Sequence, residues 1–86
     1  MESLKPTEAV RRLFDDHPNY KWNPGELRDE LTSMKKRDEL LTNAQDMLQV
    51  AHWVLRRLLK DDYIEPGGKN RKRWYRKFQK EKISLK

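Results

Sequence analysis

Gln45, Gln49, His52 and Arg56 recur at intervals of four, three and four residues. On a helix this spacing puts all four on one face. Their chemistry suits the reading of base edges. A Gln amide can bond adenine bidentately, and an Arg guanidinium can do the same to guanine O6 and N7. A second group, Lys69, Asn70, Arg71, Lys72 and Arg73, follows Gly67-Gly68 and precedes Trp74. Polar and basic groups at such a bend suit phosphate oxygens, which position a polyanion without reading its sequence. Thr42, Asn43 and Lys60, at the ends of the helical stretch, extend the backbone-contacting set. For any single member of the helical row the alternative is an ordinary solvated face. Trp53 interrupts that row. A Trp there can touch a thymine methyl or a sugar, or it can anchor a second protomer or another protein, because exposed Trp is enriched at interfaces.

Charge placement supports a polyanionic partner. The net charge is +6, yet residues 1–66 carry 11 Lys/Arg against 13 Asp/Glu. Residues 67–86 carry 9 against 1, so the basic excess sits in the last twenty residues. A solvated tail is the competing explanation, and the aromatics that break the run argue against it.

Other chemistry finds little support. His17 and His52 are far apart, there is no Cys, and no metal-ligand spacing is present. Ser3, Ser33 and Ser84 sit in no nucleophile motif, and Gly67-Gly68 has no helix behind it to cradle a phosphate. Asp15-Asp16 and Asp61-Asp62 read as helix-closing surface acids. No catalytic residue, metal or cofactor is expected, and the protein is not expected to be an enzyme. The chain has no apolar run long enough to span a bilayer and no signal-peptide core near its start, which points to a cytoplasmic protein without membrane contact, nucleoid-associated if it binds DNA.

The elements that position these groups follow from periodicity. With 86 residues, 35% hydrophobic and 40% charged, one small domain with a thin core is expected, its ordered part about 7–78 and its end, 79–86, a flexible basic tail. Residues 6–15 read as a first helix, opened by Pro6 or Thr7, with Val10, Leu13 and Phe14 inward. Tyr20-Lys21-Trp22 alternates like a very short strand. Asn23-Pro24 starts a second helix over 24–36, striped by Leu27, Leu31 and Met34. Thr42 with Gln45 matches a capping box, which predicts a third helix over 42–60. Its apolar arc holds Ala44, Met47, Ala51, Val54, Leu55 and Leu58. Arg57 falls on the flank, where an ion pair is a plausible role. Asp61-Asp62 ends the helix, with a left-handed residue tolerable at Asp. Residues 63–65 and 73–78 then form a hairpin around a turn at 66–70. A lone hairpin is marginal in water, so it must lean on the helices. Alternation separates Trp74 and Phe78 from Tyr75 and Lys77, and either face can be inward.

This order of elements, with "WNPGELRDEL", "VLRRLLKDDYIE", a Gly-rich basic loop and "RWYRK", resembles the winged helix-turn-helix domains of transcription regulators. The resemblance covers about residues 7–78. It implies an α+β, mostly helical fold of three helices with a C-terminal β-hairpin wing. It also implies a third helix in the major groove of double-stranded DNA and a wing along the backbone or in the minor groove. The family pattern L-x-x-L-x-x-x-G-[apolar]-I is met by Leu55, Leu58, Asp62, Tyr63 and Ile64, with Asp62 where Gly is customary. The stretch between the second and third helices is also longer than the family's tight turn. Gln45, Gln49, His52, Trp53 and Arg56 are thus the expected base contacts of a small DNA-binding regulator. Winged helices also serve as protein-interaction modules, so a dimerisation or partner-binding domain anchored on Trp53 is the alternative. RNA, suggested by basic groups interleaved with Trp74, Tyr75 and Phe78, stands behind both.

Overall fold

A computed structural model describes residues 3–69 and 72–79. Three helices, α1 (Pro6–Asp16), α2 (Pro24–Lys36) and α3 (Met47–Lys60), precede an antiparallel hairpin of β1 (Ile64–Gly67) and β2 (Trp74–Lys77). The fold is α+β and mostly helical, as the pattern of elements predicts.

Each helix end has a local cause. α1 begins at Pro6, whose fixed φ suits the first turn, but its cap is Lys5 and no side chain closes it, so Thr7 is not the cap. α2 has a full capping box: the Asn23 side chain accepts from Glu26 N, and Glu26 accepts from Asn23 N. At the C-terminal ends of α2 and α3 the same device recurs. Asp38 (φ 59°) and Asp62 (φ 58°) turn left-handed. Around them Glu39 N donates to Met34 O and Asp38 N to Lys35 O, while Tyr63 N donates to Leu58 O and Asp62 N to Leu59 O. These are two Schellman closures with Asp where Gly is usual. Asp62 behaves as expected from sequence; Asp38 gave no such signal.

The third helix starts five residues later than its sequence signal. Thr42 Oγ1 accepts from Ala44 N, closing a local turn instead of capping a helix. The true cap is Asp46, whose carboxylate accepts from both Leu48 N and Gln49 N at the positive end of the helix. Residues 37–46 are held in place by other partners. Leu40 forms a parallel bridge to Leu4, with Leu4 N donating to Glu39 O and Leu41 N to Leu4 O, and the Lys35 ammonium donates to Ala44 O. Thr42, Asn43, Ala44 and Gln45 therefore lie on this connection and not on α3.

The core gathers Phe14, Leu27, Leu31, Leu55, Leu58, Val10 and Val54, with Trp22, Ile64 and Tyr75 sealing the hairpin side. The inward face of β2 is the one carrying Tyr75 and Lys77. Tyr75 is only 8% exposed, and Lys77 reaches Asp15 of α1. Trp22 exchanges two hydrogen bonds with Tyr75 (2.8 and 2.7 Å), making the short strand expected at 20–22 a single bridge on the free edge of β2. Tyr75 thus directs its N–H and C=O toward Trp22, so Pro66, opposite it in β1, is not asked for the N–H it lacks. Pro66 and Gly67 accordingly extend the strand that the turn signal placed them outside. Tyr63, Arg73 and Phe78 drop out of the strands.

Candidate nucleic-acid interface

On α3 the buried arc of Met47, Ala51, Val54, Leu55 and Leu58 fixes which side chains face out. Successive residues rotate by about 100°, which brings His52, Arg56, Gln49, Lys60 and Trp53 onto one outward sector, in that order around the axis. All five are exposed, and Trp53 retains 54% of its surface. Arg57 lies farther round and pairs with Asp61 at 3.7 Å, the ion-pair role anticipated for it. Gln45 does not join this sector, because it sits on a bend before the Asp46 cap. Thr42 and Asn43 likewise belong to the connection, away from any helix end.

Beside the His52 edge of α3 a cleft of about 800 Å³ opens toward the hairpin. Leu48 and His52 form one wall, Lys72, Arg73, Trp74 and Tyr75 the other, and Arg28 of α2, its cap Asn23 and Lys21 before it complete the lining. Four cations line it and, among the described residues, no carboxylate does. Arg28 is paired with Asp29 at 3.1 Å, on a side chain 46% exposed, a contact that solvent weakens.

The hairpin wall is packed around Trp74. The Trp74 indole lies flat against Gly67, where an added Cβ would meet ring atoms at 2.1 to 2.5 Å. The Lys21 ammonium is 4.9 Å and the Arg76 guanidinium 5.5 Å from the ring centroid, and Arg76 also bonds Glu65 across the ladder at 2.6 Å. Gly68 (φ +76°) turns the chain at the tip, and Lys72 N donates to Lys69 O to close it. Lys69, Lys72 and Arg73 are exposed. Asn70 and Arg71, expected at the tip, lie outside the described residues, as do residues 80–86.

The structure therefore unites part of the expected set. His52, Lys72 and Arg73 share the cleft; Gln49, Arg56, Trp53 and Lys60 lie on the adjoining face of α3; Gln45, Thr42 and Asn43 do not belong to either. Lys21 and Arg28 were absent from the expected set. Lys21 had a legible signal, since it lies inside the alternation of Tyr20-Lys21-Trp22, but only the pairing of Trp22 with Tyr75 turns it toward the hairpin. Among the described residues no group of three or more His, Asp or Glu side chains could hold a metal ion, and no helix is long and apolar enough to cross a membrane.

The chain matches no protein-family model, and neither a curated protein nor a solved structure is significantly similar to it.

Proposed function

We propose that the protein is a winged-helix domain that binds double-stranded DNA as a small transcriptional regulator in the cytoplasm, associated with the nucleoid. In this reading α3 enters the major groove and the hairpin is the wing. Gln49, His52 and Arg56 supply base contacts, while Lys60, Lys69, Lys72 and Arg73 hold phosphates, joined by Lys21 and Arg28. The observation that carries it is the acid-free cleft, which joins the outward face of α3 to the basic hairpin through His52. A duplex presents phosphates beside a groove, and this surface presents cations beside a row of base-reading side chains.

Competition among duplexes of different sequence tests the division of labour. Lys72→Ala with Arg73→Ala weakens all sequences alike, whereas Gln49→Ala changes the preference between them. Equal effects on every duplex from both variants would remove the base-reading role of α3.

The half-exposed Trp53 favours a second reading, a protein-interaction or dimerisation module. Trp53, Val50 and Gln49 outline a shallow depression of about 270 Å³, suited to an apolar anchor. Sedimentation decides it. A monomer at all concentrations, unchanged by Trp53→Ala, removes the dimer form of that reading.

A further inference from the structure

Trp53 and the cleft lie on opposite flanks of one continuous polar face. His52 lines the cleft, and the next residue in sequence, Trp53, stands about 100° farther round α3. Gln49 and Arg56 fill the angle between them, one turn before and one turn after. Among the described residues that line the cleft and the outward sector of α3 from His52 to Trp53, no side chain is acidic, and the nearby Asp29 carboxylate is paired with Arg28.

A Trp in the middle of a duplex-reading helix is hard to place. A duplex offers it a thymine methyl or a sugar, and either covers less of the flat face of an indole than a base does. An unpaired base uses it, because every base has a π-face and stacking does not depend on sequence. The cleft completes the arrangement, since a concave row of cations follows a single phosphodiester backbone. Trp53 is also set apart from the other two indoles. Trp22 is 8% exposed, and Trp74 has one face on Gly67. Among the three, Trp53 is the one exposed indole, while Trp74 is half-buried in the cleft wall.

We infer that this face takes DNA carrying an unpaired strand next to a duplex, the backbone lying in the cleft and one unpaired base stacked on Trp53. The inference rests on the duplex reading and sharpens its substrate class. It assigns Trp53 to nucleic acid and not to a second protomer, on charge: Gln49, Arg56 and Lys60 lie on the His52 side of the ring, with Val50 and the Asp61-paired Arg57 on the other, and this basic sector suits a polyanion better than another copy of itself.

The test compares a blunt duplex with the same duplex bearing a short oligothymidine overhang, by fluorescence anisotropy at low salt. The overhang binds more tightly by roughly 5- to 150-fold, the worth of one stacked base, and quenches intrinsic Trp emission. Trp53→Ala collapses the advantage to about twofold or less and abolishes the quenching, while Trp53→Phe, which keeps a flat ring, retains most of the advantage. Circular dichroism of each variant establishes that it is folded. If blunt duplex binds with strong salt dependence but the overhang adds nothing, or if Trp53→Ala keeps the advantage, the inference is overturned and the duplex reading stands. If no duplex of either kind binds at low salt, both fall.

Discussion

Asp15 is a surface residue, yet it joins α1 to two positions far away in sequence. Its carboxylate accepts from the Tyr63 hydroxyl and from the Lys77 ammonium, 48 and 62 residues on. The Tyr63 ring centroid is 4.6 Å from the Arg11 guanidinium carbon and 4.7 Å from the Lys77 ammonium. The hydrogen bond from Lys77, then that from Tyr63, hold the Asp15 carboxyl below its ordinary 3.8, and the bond to Asp15 raises Lys77 above 10.5. A carboxyl lowered in the fold contributes stability that is present above the unfolded value and lost as pH falls through the folded one. Lys77 works in the opposite sense, its share being full below 10.5 and lost as pH rises through its higher folded value. Asp15→Asn therefore destabilises at neutral pH, and the gap from wild type closes as pH drops below about 3.8, as urea unfolding at a series of pH values will report. Gly67 makes a second residue-scale prediction. Gly67→Ala drives a Cβ into the Trp74 ring, so stability falls by about 1–3 kcal/mol in thermal or urea unfolding, and the change in the environment of Trp74 is visible in near-UV dichroism.

At the scale of elements, most of the fold was legible because periodicity and stop signals agree. The stripe of Leu27, Leu31 and Met34, the Asn23-Pro24 start and, apart from Ala44, the apolar arc of α3 each recur in the structure as read. What misled was a local pattern outvoted by a longer-range one. Thr42 and Gln45 have capping-box spacing, but Thr42 Oγ1 is taken up by Ala44 N in a local turn and Asp46 is the acceptor that caps the helix. That displacement removed Gln45 from the site. Nor could alternation alone choose the inward face of β2, because the choice depends on the Asp15–Lys77 and Trp22–Tyr75 contacts across the chain. Asp46→Ala should accordingly cost about 1 kcal/mol, whereas Thr42→Ala, which removes no helix cap, should cost clearly less in the same unfolding experiment. At the two Schellman positions, Asp38→Gly and Asp62→Gly relieve a left-handed Cβ, so each should raise stability by up to about 1 kcal/mol. A loss at Asp62 would mean that its side chain contributes something its backbone does not explain.

For the whole molecule, the cleft gathers charge from distant parts of the chain. Lys21 precedes α2, Arg28 lies within it, and Lys72 and Arg73 come from the hairpin, yet they line one cleft beside His52. Composition located the basic excess in residues 67–86, and the fold adds cations from a region whose own balance is negative. Such a surface should release counterions when it meets a duplex, so salt dependence reports on it directly. The decisive measurement is the affinity for a duplex between about 50 and 200 mM salt, by fluorescence anisotropy, for the wild type and for the Lys72→Ala, Arg73→Ala double variant. With about 5–7 phosphates neutralised, wild-type affinity should fall by roughly 10³-fold over that range, and the variant should bind more weakly with a log–log slope shallower by about 2. Absence of binding at 50 mM salt, or an affinity indifferent to salt, would contradict the account.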